Sequence, residues 1–170
     1  MPFRQLEHEE IEQQEHKFPL RLICDGLSNA VNTGMLFRLA DGFGVEKIYL
    51  CAGTPAPPNR KLRKASRSTV QRVEYEVRES TAAVLDELIK EGYTPLALEV
   101  TTNSQDIRRF PFKNCEKIAL VIGAEKGGVS EAALEKVKNC LAIPLFGQVS
   151  SLNVATAAAI ALYEISKQQL

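Results

Sequence analysis

Histidine is nearly missing from this chain: His8 and His16 are the only two among 170 residues, both in a polar N-terminal segment. Neither is a good candidate for a general base, so chemistry that turns on an imidazole is set aside. No run of about 18 apolar residues occurs, and residues 1–10 lack the apolar core of a signal peptide, so a cytoplasmic protein without a membrane span is expected. Net charge is also missing, with 21 Lys and Arg against 21 Asp and Glu. A basic nucleic-acid footprint is therefore invisible over the whole chain and must be local. Cys24, Cys51, Cys115 and Cys140 form no Cys-x-x-Cys pair and no Cys/His spacing suited to a metal. They read as structural thiols, buried where apolar runs flank them, and no metal is expected. No repeat, low-complexity tract or linker divides the chain.

What remains is ordinary globular material, 45% hydrophobic and 25% charged, enough for one domain with a real core. The expected organisation is a charged, helical N-terminal arm over 1–18, anchored by Leu6 and Ile11, followed by a single domain over 19–170. Apolar runs at 20–24, 46–51, 94–99 and 117–123 read as strands, the last as the central one, with a further strand at 73–77. Helical spacing over 33–43 places Met35, Leu36, Leu39 and Ala40 on one face, and 81–90 does the same with Ala82, Leu85, Leu88 and Ile89. A helix over 131–138 and a strand from Cys140 to Pro144 follow. Alternation of strands and helices predicts an α/β fold with a mostly parallel sheet flanked by helices.

Four stretches carry chemistry. Between Arg60 and Arg72 stand Arg60, Lys61, Arg63, Lys64, Arg67 and Arg72 with no acid among them, either a solvated face or a contact for a polyanion. Asn32 stands near a helix start and Arg38 over a turn further in. Asn32 reads as a cap or a site residue. Arg38, flanked by Phe37, Leu39 and Ala40, needs a partner if it lies beside the apolar stripe, and a phosphate would serve. In the loop 123–130, three glycines permit close backbone approach, but the Lys-Ser/Thr pair of a nucleotide phosphate loop is missing. Glu125 within it repels phosphate, so the ligand is neutral or cationic, or Glu125 pairs with an arginine such as Arg38. The last stretch joins a strand ending at Ile143 and Pro144 to a polar loop and an alanine-rich helix. Ala155, Ala158, Ala159, Leu162 and Ile165 share one helix face, and Ser150, Ser151 or Asn153 caps it.

Asn32-x-Gly34-x-x-x-Arg38 with Phe43-Gly44, Gly123-x-Glu125-x-x-Gly128-Val129-Ser130, and Ile143-Pro144 through Ser151-Leu152-Asn153-Val154-Ala155 resemble, in order, the three motifs of the SpoU-type (TrmH-like) RNA ribose methyltransferases of the SPOUT superfamily. The resemblance covers about 20–165. It implies a deep trefoil knot in the C-terminal part and transfer of a methyl group from S-adenosylmethionine to a ribose 2′-hydroxyl of tRNA or rRNA. It also implies a homodimer whose sites are shared, Arg38 of one chain meeting the cofactor of the other. The cofactor is expected against Leu98, Glu99 and Val100, against Gly123 and Glu125, against Ile143 and Leu145, and against Ser151, Leu152 and Asn153. Arg38 is expected nearest the target hydroxyl, with Asn32, Glu125, Ser151 and Asn153 arranging it and the substrate. RNA contact falls to Arg60, Lys61, Arg63, Lys64 and Arg67. One departure stands out: a glycine common in relatives after the basic segment is missing from 64–71. A noncatalytic RNA-binding or ribosome-assembly factor on the same fold is the alternative.

Overall fold

The computed structural model describes residues 3–12 and 16–169. Strand β1 (Phe18–Asp25) is followed by α1 (Ala30–Gly42), β2 (Val45–Cys51), α2 (Arg60–Ser66), β3 (Glu74–Arg78), α3 (Thr81–Lys90), β4 (Thr94–Leu98), β5 (Gln105–Asp106), β6 (Ile118–Gly123), α4 (Glu131–Leu134), β7 (Asn139–Ala142) and α5 (Val154–Gln169). The strands form one seven-stranded sheet in the order β3-β2-β1-β6-β4-β7-β5. Every pairing is parallel. All six residues of β6 are buried, as a strand covered on both faces requires.

Period-two alternation divides the core between the two faces. Leu20, Leu22, Cys24, Ile48, Leu50, Leu96 and Leu120 pack on one side under α1 and α5, through Leu36, Phe37, Ala158 and Leu162. Ile23, Tyr49, Ala97, Ala119 and Val121 face the other way, under Val84, Leu85 and Leu88 of α3 and Ala133 of α4. Helix α2 crosses α1 closely at Gly34, where a Cβ would stand 2.5 Å from the Leu62 carbonyl oxygen and 2.8 Å from the Ala65 Cβ. Glycine is what permits that crossing.

Several expectations change. The arm is not helical over its described residues: it is irregular apart from one 3-10 turn, His8–Glu10. Its one arginine, Arg4, folds back onto Glu10 instead. The remainder of that expectation, residues 1, 2 and 13–15, lies outside the described residues, as does residue 170 of the expected domain. Helix α1 starts three residues early because Asn29 caps it, accepting from the Val31 amide, and Met35 is exposed on it. Helix α4 is one turn long, shorter than 131–138, and β7 ends at Ala142, before Ile143 and Pro144. Proline has no N–H to continue a ladder. Short β5 was not foreseen. In α5 it is Ala161 that is fully buried, while Ala159 is only half-buried. All four cysteines are free; Cys24 and Cys51 are buried, but Cys140 is only half-buried.

Candidate functional site

Parallel strands all deliver their C-terminal ends to one edge of the sheet, and the polar loops leave from there. Leu98 pairs with Ile122 of β6 and Leu141 of β7, so the loops beginning at Glu99, Gly123 and Ile143 leave from neighbouring strands. Strand β1, on the other side of β6, ends at Asp25 opposite Gly123 and supplies a fourth loop, 26–29.

The Gly123 loop folds back on itself. Ala124 and Gly128 exchange backbone hydrogen bonds of 3.0 and 3.2 Å, and a Cβ on Gly123 would collide with the Gly128 and Val129 backbone. Two carboxylates hold this loop from below. Glu99 Oε2 accepts the Val129 amide at 3.0 Å while its Oε1 accepts the Val100 amide at 2.9 Å. Buried Asp25 accepts the Ser130 amide at 2.7 Å and the Thr81 hydroxyl at 2.5 Å.

Above the loop stands a chain of side-chain hydrogen bonds. Glu125 Oε2 accepts the Ser28 amide at 3.0 Å and the Ser28 hydroxyl at 2.9 Å, and Oε1 accepts Asn32 Nδ2 at 2.8 Å. Asn32 Oδ1 accepts Asn153 Nδ2 at 3.1 Å. Asn153 Oδ1 caps α5, accepting the Ala155 amide at 2.9 Å. Burial alone would push the Glu125 carboxyl up, but the Ser28 amide, the Asn32 carboxamide, a backbone amide of its own and the Ser28 hydroxyl hold it down at about 2. Glu125 is thus a fixed anion and a very weak base.

Of the alternatives open for Glu125, pairing with arginine is not realised; its partners are Ser28 and Asn32. Asn32 does not cap α1, and it is 4% exposed, consumed by its two bonds. Among Ser150, Ser151 and Asn153, it is Asn153 that caps, and Ser151 is exposed. Arg38 does not need a partner, because it lies in solvent beside exposed Val31 and Met35. Six residues past Asn32, it sits about 9 Å further along α1 and about 240° round it. The structure therefore does not bring Arg38 to the Asn32–Glu125–Asn153 cluster of its own chain. Leu98, Glu99, Ile143, Leu145 and Leu152 are half-buried around the edge, Gly123 is buried, and Val100 is exposed.

Ser28 escaped sequence reasoning. No spacing rule singles out a serine whose partner is 97 positions away. Asp25, buried at the end of β1, was missed in the same way. Beside Ser28 opens a cavity of about 720 Å³, walled by Ser28, Asn29, Ala30, Pro55, Asn59, Arg60 and Lys61. It joins the basic segment to the cluster. Arg60, Lys61, Arg63, Lys64 and Arg67 make no ion pair with a described residue, whereas Arg72 binds Asp41 at 2.6 Å.

Residues 19–163 match the family model described as the SpoU rRNA Methylase family. The 23S rRNA (guanosine(2553)-2′-O)-methyltransferase RlmP of Bacillus subtilis is 33% identical over 85% of this chain and 56% of its own length. A Staphylococcus aureus protein named for the TrmH family of tRNA/rRNA methyltransferases is 30% identical over 94% of this chain and 64% of its own. The chain thus spans less than two thirds of either relative. The A. aeolicus TrmH/SpoU tRNA modifying enzyme superposes with a TM-score of 0.81 at 26% identity, over 91% of this chain and 77% of that one. A structure concerned with 2-OH methylation of C/U34 on tRNA superposes at 0.77 and 27% identity, over 88% and 95%.

Proposed function

This chain belongs to the SpoU rRNA methylase family, and on that premise we propose that it methylates the 2′-hydroxyl of a ribose in tRNA or rRNA, using S-adenosylmethionine. The observation that carries the reading is the hydrogen-bonded run Glu125–Asn32–Asn153, which ties one residue from each of the three motifs into a single cluster at the ligand-binding edge of the sheet.

The residues present suit the cofactor. The loops at 98–100, 123–125, 143–145 and 151–153 contain no Lys or Arg, and Glu99 and Glu125 bring carboxylates to them. That environment favours a sulfonium cation. When bound, the cofactor supplies an electrophilic methyl group. The chain's own part is to hold the reactants in line. Leu98, Gly123, Ile143, Leu145 and Leu152 are assigned to cofactor packing, and Glu99, Val100, Ser151 and Asn153 to its polar end. Glu125, held near a pKa of about 2, is too weak to take the ribose proton and acts as a fixed anchor. Arg38 binds the target phosphate or steadies the developing alkoxide, and the proton passes to a phosphate oxygen or a water.

A homodimer completes this site. Within one chain Arg38 faces away from the cluster, alongside exposed Val31 and Met35, and α1 packs against α5, which exposes Ile160 and Tyr163. A second copy seated on these helices would bring its Arg38 to the cofactor loops. The reading includes the trefoil knot, with the 143–165 region threaded through the preceding chain, a single domain over 19–170 after a charged arm, and a cytoplasmic setting. Among the described residues no helix is long and apolar enough to cross a membrane.

Calorimetry with S-adenosylmethionine, followed by tritiated methyl transfer to total RNA and to DNA, tests the activity. Saturable cofactor binding with transfer to RNA alone is expected. RNA binding without cofactor binding would instead establish the noncatalytic factor. Light scattering at micromolar concentration tests the shared site, for which a dimer is required.

A further inference from the structure

A second cavity, of about 420 Å³, opens on the other side of the α2 N-terminus. Its walls are apolar, made by Pro57, Pro58, Leu62 and Val70, and Arg63 and Arg67 stand at its rim with Gln71. Its size is that of a small-molecule site. Asn59 and Arg60 border both this cavity and the one beside Ser28, so the two are separated by the width of one residue pair.

Hydrogen bonds brace both ends of α2 beside this cavity. Asn59 Oδ1 caps α2, accepting the Lys61 and Leu62 amides at 3.0 and 3.1 Å. At the other end of α2 the Ser66 hydroxyl donates to the Arg63 carbonyl at 3.2 Å and the Thr69 hydroxyl to the Ser66 carbonyl at 2.6 Å. Between them Arg67 adopts φ 56° and ψ −127°, a conformation suited to glycine. A side chain kept at a strained position points to a use for that side chain. Arg67 turns the chain back so that the 3-10 turn Thr69–Gln71 closes the far wall, and its guanidinium stays exposed.

We infer that this cavity takes a nucleobase of single-stranded RNA, and that the adjoining cavity beside Ser28 takes the neighbouring nucleotide. The inference rests on the RNA reading above and deepens it. An aliphatic slot rimmed by guanidiniums that make no ion pair among the described residues matches an unstacked base with its flanking phosphates, since guanidinium planes stack on bases and pair with phosphate. Arg60, shared by both cavities, is then placed for the phosphate between the two nucleotides. Gln71 offers a carboxamide at the mouth, able to donate to and accept from a base edge.

The test is fluorescence anisotropy with two single-stranded probes of equal charge, a ten-nucleotide oligoadenylate and a ten-unit abasic ribose-phosphate chain. Wild-type protein is expected to bind the base-bearing probe at least about fivefold more tightly, as stacking of one base allows. Val70→Met, which extends an aliphatic chain into the slot and offers no aromatic face for stacking, is expected to bind both probes equally and to keep wild-type affinity for the abasic chain. Arg67→Gly, which relaxes the backbone and removes one cation, is expected to weaken both probes, to retain a base preference and to flatten the salt dependence by about one phosphate. Thermal melts and S-adenosylmethionine calorimetry accompany each variant. An undiminished base preference in folded Val70→Met, or none in the wild type, overturns the base pocket while cofactor binding leaves the methyl-transfer reading standing. A base preference that Val70→Met abolishes, in a protein that binds no S-adenosylmethionine, keeps the pocket and removes the methyltransferase.

Discussion

Asn153 donates its carboxamide N–H to Asn32 across 121 positions of sequence, at 3.1 Å, while its oxygen caps the helix that follows. One side chain thus fixes both the start of α5 and the position of a buried amide in α1. Asn153→Ala is expected to lose about 1–2 kcal/mol in urea unfolding, the sum of a cap and a partly buried hydrogen bond. Asn153→Asp is expected to recover only the cap, because a carboxylate has no N–H for Asn32. An Asn153→Asp variant as stable as the wild type would show that the link to Asn32 contributes nothing.

Glu125 sets an acid limit on the same cluster. Its carboxyl is lowered from 4.5 to about 2 in the folded chain, so its contribution to stability is complete above pH 4.5 and lost as pH falls towards 2. Thermal melts across that range should show a decline that Glu125→Gln lacks. An identical pH profile in the variant would mean that the clamp is not formed in solution.

Arg38 separates binding from transfer. Arg38→Lys keeps the charge but loses the planar fork, so methyl transfer is expected to fall at least about tenfold, in line with loss of a transition-state contact. Cofactor affinity should stay within about twofold. Near-normal transfer with unimpaired RNA affinity removes Arg38 from the mechanism.

Gly34→Ala is a packing test. The added methyl would meet the Leu62 carbonyl and Ala65, which belong to backbone and a short side chain and have little room to yield. Separation of α2 from α1 is expected, costing about 1–3 kcal/mol. Weaker RNA binding should accompany it, because α2 carries the basic rim. Loss of stability with RNA affinity intact would uncouple the two.

Apolar periodicity reported the parallel sheet well. The buried run of β6 is a local pattern, and so is the helical spacing of α3, although its buried face takes Val84 with Leu85 and Leu88 and leaves the expected Ile89 exposed. Boundaries shifted where one polar side chain overrode the pattern, as when Asn29 started α1 early, or where proline ended a ladder, as after β7. Asn32, Glu125 and Asn153 drew notice as a helix-start residue, a carboxylate in a glycine loop and a cap, but their grouping into one site came only through the motif resemblance. Nothing in their spacing says that they touch. Ser28 and Asp25 stayed hidden because their partners lie on other strands' loops. Arg38 was legible as a residue and misread in its surroundings: Phe37 and Ala40 turn into the core while Arg38 stays exposed.

The Asn32–Asn153 contact also sets a timetable. A bond between the first helix and the last cannot form while the chain between them is still being made, and long-range closures are the slow ones in folding. Ser28, Asn32 and Glu125 all precede α5 in the chain, so Asn153 is the last member of the clamp to be made. A growing or C-terminally broken chain would carry Arg60, Lys61 and Arg63 without Asn153 to complete the cluster.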